Sequence, residues 1–463
     1  MFIARVRTSF EYKRYTTALD LFSGDEPKYL RLVHTLAEDA DLDISNFWGS
    51  EAQIARLRET APSSGTRRSG HLYIFGKKSG IYSLHLPGLA VLTYPGYVAD
   101  VLLFPLESAR ASSNLDFLPA KLYFTRLSLV IIALLSLLAL FRLLGSVFSP
   151  LLTSLLFLPL LFNSPFLRFT VQLYPDGPAL LFCLLGLNCI FRPFRDRRLN
   201  DVLFVFCLAF LPWLHQRFIF LSLGLYLLFL FLTPKKPASR RRILLVSLAL
   251  LASSLPYFYY FYSITGDPSP ASLSREYGQR FISLGILPLG FFGQVFSTRE
   301  GLLWFYPWTS FFLFGLYYGF KRRMRQTGAL LMAFFPYYLV CSTAFPWSGA
   351  SAPVGRFAVA LLPIYLLFTG FTVEDLSRRF SWKKLFYYAS VILLIFLNHQ
   401  FSVLRLDIGH TRVTPSELGR ISLAALLLIL LFASLWFGEK RLFKPPGPSP
   451  EHNHPGRPQP SRP

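Results

Sequence analysis

Long blocks of apolar residues alternate with short basic segments along most of the chain. Blocks such as 122–141, 243–264 and 421–437 approach or reach the roughly 20 residues that cross a bilayer core as a helix. The pattern predicts an all-α polytopic membrane protein with about eleven transmembrane helices. The predicted spans lie near residues 122–142, 147–164, 173–191, 201–212, 216–233, 243–264, 303–320, 327–345, 357–373, 386–400 and 421–437.

The basic segments between the apolar blocks predict the orientation of the chain. Loops rich in Lys and Arg stay on the cytoplasmic side of a membrane, and eleven spans then leave the C-terminus there. The net charge of +22 follows from these loops, so it does not indicate a nucleic-acid partner. The predicted cytoplasmic loops are 192–198, 235–242, 321–325, 378–384 and 440–444.

Two apolar segments need separate treatment. Residues 201–233 have basic loops at both ends, so they must form a hairpin that turns near 212–217. Residues 86–105 are apolar but contain two prolines and two glycines, which favours a juxtamembrane or re-entrant element. The alternative, a true span, puts the residues before it in the cytoplasm, and their many basic side chains agree with that.

The same pattern divides the chain into three parts. Residues 1–121 form an extracytoplasmic loop with juxtamembrane helices, 122–437 a transmembrane domain, and 438–463 a disordered cytoplasmic tail rich in proline. The four cysteines lie in apolar segments without metal-ligand spacing, which predicts buried free thiols.

Adjacent carboxylates occur in the first of these parts. Asp25 and Glu26 precede Pro27, which favours a helix start, and an apolar face follows, so an amphipathic helix on the membrane is predicted. Neighbouring helical positions point about 100° apart, so Asp25 and Glu26 are expected to have different roles. A carboxylate here can deprotonate an acceptor hydroxyl, or it can only cap the helix.

Further polar groups fall on the same predicted side of the membrane. Ionisable residues at membrane depth are costly and are functional candidates by default. The tryptophans beside them, Trp213 and Trp347, are better explained as interfacial anchors. The segments concerned are 82–89 with His85, 174–178 with Asp176, 213–217 with His215 and Arg217, and 346–349, which leads to Arg356.

The order of these motifs resembles bacterial membrane glycosyltransferases of the GT-C superfamily, related to protein mannosyltransferases and the lipid A aminoarabinose transferase. The motifs are Gly-Asp-Glu-Pro-x-Tyr-Leu at 24–30, His-x-Pro-Gly-Leu at 85–89, Tyr-Pro-Asp-x-Pro-Ala at 174–179, Trp-Leu-His-x-Arg at 213–217, and Trp-Ser-Gly followed by Arg356. The resemblance covers most of residues 20–373 and implies a GT-C-like bundle. Such relatives have a further helix before the acidic motif, so we expect an earlier start with an apolar segment; the alternative is a variant that lacks this helix.

The resemblance also implies roles for individual residues. Asp25 matches the acidic residue proposed as the catalytic base, Glu26 its companion, and Arg356 a phosphate contact. Gly88 replaces a second proline of the relatives' loop motif. The catalytic candidates are thus Asp25 and Glu26, and the substrate-binding candidates are Tyr29, His85, Tyr174, Asp176, His215, Arg217 and Arg356.

The implied chemistry is transfer of a sugar from a polyprenyl-phosphate donor to a lipid, glycan or protein acceptor outside the inner membrane. The acceptor hydroxyl loses its proton to a carboxylate as it attacks the anomeric carbon, which inverts that centre. The departing phosphate needs its charge stabilised by Arg or His, or by a divalent metal ion held on carboxylates. No other cofactor is indicated.

Three other classes remain as alternatives. A transporter or flippase of lipid-linked sugars is equally rich in interrupted helices. An O-antigen polymerase or ligase uses similar substrates, but its key groups are expected in a late loop. A membrane scaffold does not need Asp, His and Arg gathered at one face.

Overall fold

The structure, a computed structural model, describes residues 25–48, 73–77, 80–104, 119, 121–161, 166, 171–193, 196–234, 236–273, 282–296, 302, 306, 311–344 and 356–379. The N-terminal residues 1–24, the predicted spans 386–400 and 421–437, and the tail 438–463 lie outside this part of the chain. The helices in chain order are α1 (Glu26–Glu38), α2 (Gly88–Leu103), α3 (Tyr123–Val147), α4 (Pro150–Leu161), α5 (Asp176–Phe191), α6 (Arg197–Leu214), α7 (Phe218–Leu232), α8 (Pro237–Thr265), α9 (Leu287–Phe296), α10 (Phe311–Thr343) and α11 (Leu362–Arg379).

Several of these helices are suited to crossing a membrane. Within the described residues, α3, α8 and the segment Arg356–Arg378 are long and apolar enough to span a bilayer. Shorter apolar helices are Gly88–Leu103, Asp176–Phe191, Phe218–Leu232 and Leu284–Val295. The chain is therefore a multi-pass membrane protein, while the number of eleven spans stays a prediction.

The helices α1, α2 and α3 pack together through one apolar cluster. Tyr29, Leu30 and Val33 of α1 are fully buried in it, as the predicted apolar face requires. Residues 86–105, which were difficult to assign from sequence, contain the continuous helix α2, with Pro95 inside it. The carboxylate of Asp100 at its end accepts hydrogen bonds from the first backbone N–H groups of α3. This bond fixes the start of α3, whose own residues provide no side-chain cap.

A small β-hairpin lies between α1 and α2, where only helices were predicted. Strand β1 (Tyr73–Phe75) pairs antiparallel with β2 (Ile81–Ser83), with Ile74 opposite Tyr82. Three residues are too few to show the alternation typical of a strand. The carboxylate of Asp43 accepts from the backbone N–H of Ile81 (2.8 Å) and so ties the hairpin to the segment after α1.

The later helices form a closely packed bundle. The predicted hairpin is present as α6 and α7, joined by a short turn that contains His215. The predicted break between the spans 303–320 and 327–345 is present, because α10 is interrupted at Arg323 (φ −138°, ψ 43°), inside the predicted basic loop 321–325. Its two arms pack against each other, with the ring centres of Phe312 and Phe334 5.3 Å apart. A Cβ on Gly224 of α7 would lie 2.6 Å from a backbone oxygen of α10, so only glycine allows this approach.

Candidate active site

The carboxylate of Asp25 stands at the N-terminal end of α1 and is surrounded by basic groups. Its oxygens lie 3.0 Å from Nη1 of Arg356, 3.2 Å from Nζ of Lys28 and 3.5 Å from Nε2 of His85. It is the N-cap residue by position, yet its side chain makes no capping hydrogen bond. The carboxylate is thus directed into a side-chain cluster and away from its own helix.

Arg356 connects the two carboxylates of this cluster. Its Nη1 donates to Asp25, and its Nε donates to Asp176 at 2.8 Å. Its guanidinium carbon lies 4.7 Å from the ring centre of Tyr174, within cation–π range. Arg356 begins a 3₁₀ turn just before α11, so one side chain joins the start of α1, the start of α5 and the region before α11.

Arg217 supplies a second guanidinium from the turn between α6 and α7. It forms an ion pair with Asp176, which is completely buried, and it lies 4.6 Å from the ring centre of Phe357. Its backbone N–H donates to Nδ1 of His215 (3.3 Å), so the turn holds both side chains next to the cluster. Burial lowers the pKa of His215 well below its ordinary value.

Three buried polar atoms of the cluster have no hydrogen-bond partner among the described residues. They are the hydroxyl of Tyr29, Nε2 of His85 and Nε of Arg217. The rings of Tyr29 and His85 pack together, with centres 4.9 Å apart. Buried polar groups are nearly always paired in folded proteins, and these three atoms are able to bond a polar ligand.

Glu26 points away from this cluster, although it follows Asp25 directly. It is fully buried, pairs with Arg126 of α3 and accepts from the backbone N–H of Leu173 at 2.7 Å. The two adjacent carboxylates therefore face different surroundings, as the helical geometry predicted. Glu26 attaches the first turn of α1 to α3 and to the segment before α5.

The ionisation of Asp25 follows from its neighbours. Burial raises the pKa of Asp25, but the positive charges of His85, Arg356 and Lys28 outweigh burial and hold the pKa below its usual range. Burial lowers the pKa of His85 to about 3, so this imidazole is neutral at neutral pH. At that pH Arg356 and Lys28 are the charges that keep Asp25 ionised.

The structure brings together most of the residues selected from sequence. Lys28 was missed as a site residue, and its position three residues after Asp25 on the same helix was the available signal. Arg126, the partner of Glu26, was missed because nothing local in the sequence marks it. The gathered candidates are Asp25, Tyr29, His85, Tyr174, Asp176, Arg217 and Arg356, with His215 beside them.

The described side chains of the cluster do not form a donor set for a divalent metal ion. Asp25 and Asp176 are each bound by a guanidinium, which takes the place of a cation between them. The part of the chain that the structure describes contains no group of three or more His, Cys, Asp or Glu side chains able to hold a metal. The cationic groups of the cluster are arginine and lysine.

Comparison with known proteins gives the fold. No family model matches the sequence, and no curated protein matches it either. The structure is similar to that of ArnT from Cupriavidus metallidurans bound to undecaprenyl phosphate, with a TM-score of 0.50 and 15% identity over 93% of this chain and 74% of the other. The apo state of the same protein gives a TM-score of 0.49 and 16% identity over 93% and 74%.

An oligosaccharyltransferase from Archaeoglobus fulgidus in the apo form is also similar, with a TM-score of 0.45 and 14% identity over 92% of this chain and 53% of the other. ArnT is the lipid A aminoarabinose transferase and a GT-C superfamily member. The similarity to its undecaprenyl-phosphate-bound structure thus confirms the predicted GT-C-like architecture at the level of the fold.

Proposed function

We propose that the protein is a membrane glycosyltransferase that moves a sugar from a polyprenyl-phosphate donor to an acceptor hydroxyl, with inversion. The observation that carries the proposal is the cluster in which Arg356 bridges Asp25 and Asp176. It joins a carboxylate, able to accept a proton, to fixed cations able to hold a phosphate. The fold is similar to that of ArnT, whose structure contains undecaprenyl phosphate, and this similarity supports a polyprenyl-phosphate donor.

The charges of the cluster favour an anionic ligand. Lys28, Arg217 and Arg356 provide three positive groups against two carboxylates, with the histidines neutral, so one positive charge is in excess. The unpaired Nε of Arg217 and hydroxyl of Tyr29 can donate to phosphate oxygens. A phosphate can therefore bind in the cluster without breaking the ion pairs of both Asp25 and Asp176.

Donor binding would also prepare the base. With Arg356 and Lys28 both on Asp25, its pKa is too low for an effective base. A donor phosphate competes for the same two cations and adds negative charge, and both effects raise the pKa of Asp25. Asp25 then accepts the acceptor's proton while the guanidiniums stabilise the departing phosphate.

The ends of the helices at which the cluster lies indicate which side of the membrane it faces. Asp176 and Arg217 lie at one end of α5 and at the turn between α6 and α7, whereas the basic residues near 192–198 and 236–242 lie at the other. The charge rule for membrane proteins puts the basic ends in the cytoplasm. The cluster then faces the extracytoplasmic side of the plasma membrane, where lipid, glycan and protein acceptors are accessible.

Binding of undecaprenyl phosphate to the purified full chain in nanodiscs tests the phosphate site. Arg356→Lys keeps one charge but loses the two-point contact, so we expect roughly tenfold weaker binding. Arg322→Lys is the matched control, since Arg322 also pairs with a buried carboxylate, Asp375, elsewhere in the bundle. If the two variants bind undecaprenyl phosphate with equal affinity, Arg356 does not contribute to donor binding.

A further inference from the structure

A long groove separates α6 and α8 and extends from the basic start of these helices to Trp213. Its volume is about 1420 Å³, above the roughly 300–1,000 Å³ typical of small-molecule pockets. The two helices are joined at both ends of the groove. At one end Arg242 pairs with Asp201, and at the other Trp213 packs against Tyr257 and Tyr260.

The middle of the groove is apolar. Phe206, Ala209 and Phe210 of α6 line one wall, and Leu245 and Ala249 of α8 line the other. From Arg198 to Trp213 the wall of α6 rises by roughly 22 Å, longer than the ~15 Å depth of one bilayer leaflet. A hydrocarbon chain fits such a surface, which water would not wet favourably.

The end marked by Arg242 is strongly basic. Arg197, Arg198 and Arg241 line it, all are exposed, and no carboxylate of the described residues pairs with them. Both α6 and α8 begin at this end, so their dipoles add positive potential there. Topogenic arginines are common at helix ends, but here three of them line the mouth of the same apolar groove.

We propose that this groove binds an anionic phospholipid, with the phosphate at the arginines and an acyl chain along the apolar walls. The positive mouth and apolar interior match the two halves of such a lipid. Under the proposed function, the phosphate of the sugar donor binds at the other end of these helices, beside Asp25 and Arg356. The groove lipid is thus a second molecule, distinct from the donor.

The experiment is native mass spectrometry of the full chain titrated with dioleoylphosphatidylglycerol or dioleoylphosphatidylcholine. We expect the wild type to retain the anionic lipid preferentially. Arg198→Gln/Arg241→Gln should weaken that retention roughly 30-fold, because each arginine beside an anionic headgroup favours binding by about fivefold. Lys236→Gln/Arg240→Gln removes the same charge from residues that lie outside the groove lining, and should leave retention unchanged.

A second pair of variants tests the apolar part. Ala249→Trp fills the groove and should reduce retention of the anionic lipid, whereas Ala252→Trp, an exposed site on α8 outside the lining, should not. Equal binding of the two lipids by the wild type, or equal loss in both arginine pairs, would overturn the proposal. Displacement of the anionic lipid by undecaprenyl phosphate would also overturn it, because the groove would then hold the tail of the donor. Full retention of the anionic lipid by Ala249→Trp would overturn it as well.

Discussion

At the scale of single residues, the site contains buried polar groups that lack hydrogen-bond partners among the described residues. The hydroxyl of Tyr29 is buried without a hydrogen-bond partner among the described residues, next to the ring of His85. An unpaired buried hydroxyl costs stability, and a bound polar ligand would supply its missing partner. The motif in the sequence indicated Tyr29, but it could not show that the hydroxyl is left unpaired, since that depends on residues distant in the chain.

Tyr29→Phe should therefore separate stability from function. Removal of an unpaired hydroxyl is expected to leave thermal stability unchanged or raised by up to about 1 kcal/mol. Affinity for undecaprenyl phosphate should fall, because a donor to the phosphate is lost. Tyr97→Phe is the contrast, since its hydroxyl bonds His34 at 2.8 Å and its loss should lower stability and leave affinity unchanged. The reverse pattern would make Tyr29 a packing residue.

His85 gives the site a dependence on pH. Its folded pKa is about 3, so as pH falls below the ordinary value of 6.5 the unfolded chain takes up a proton that the folded chain does not. Stability is then lost as pH falls, by about 1.4 kcal/mol per pH unit for this one group. His85→Gln should show a shallower loss of thermal midpoint between about pH 6.5 and 4.5. Identical profiles would mean that His85 is protonated or exposed in the folded protein.

At the scale of elements, α1 is held by the buried pair of Glu26 and Arg126. The sequence predicted α1 from its proline and apolar face, and it predicted that Asp25 and Glu26 diverge. It did not predict the partner of Glu26, which lies a hundred residues along the chain. The β-hairpin was missed because three-residue strands carry no distinctive period. The break at Arg323 within α10, by contrast, was predicted from the basic residues 321–325.

We expect Glu26 to position α1 and take no direct part in chemistry. Glu26→Met removes the carboxylate that pairs with the buried Arg126, so stability should fall by about 3–5 kcal/mol and activity with it. Glu26→Met/Arg126→Met removes both charges and should recover much of the stability and part of the turnover. Thermal midpoints and transfer rates measured on the three proteins test this. A stable but inactive double variant would indicate that Glu26 acts on the substrates.

At the scale of the whole molecule, the spacing of apolar blocks and basic loops predicted the bundle and its α6–α7 hairpin well. It could not show which ends of the helices meet, because that depends on tertiary packing. Arg356 illustrates this: its partners Asp25 and Asp176 are 331 and 180 positions away. The local motifs selected the residues, and only the fold shows that they converge.

The orientation of the molecule can be tested with single cysteines, since all four native cysteines are buried. Lys77, next to the β-hairpin, and Lys236, at the start of α8, are both exposed. A membrane-impermeant maleimide should label Lys77→Cys in intact cells and Lys236→Cys only after permeabilisation. The opposite pattern would put the cluster in the cytoplasm and exclude an extracytoplasmic acceptor.

The most direct test of the central claim is to measure turnover and donor affinity together in Asp25→Asn. The amide cannot take the acceptor's proton, so release of undecaprenyl phosphate from a sugar-loaded donor in the presence of acceptor should fall by at least about 100-fold. Affinity for undecaprenyl phosphate should rise, because the carboxylate that competes for Arg356 and Lys28 is gone. Glu38→Gln, on the exposed end of the same helix, should change neither quantity. Near-normal turnover in Asp25→Asn would contradict the assignment of Asp25 as the base. A donor affinity that falls together with turnover would contradict the claim that the donor phosphate competes with Asp25 for Arg356 and Lys28.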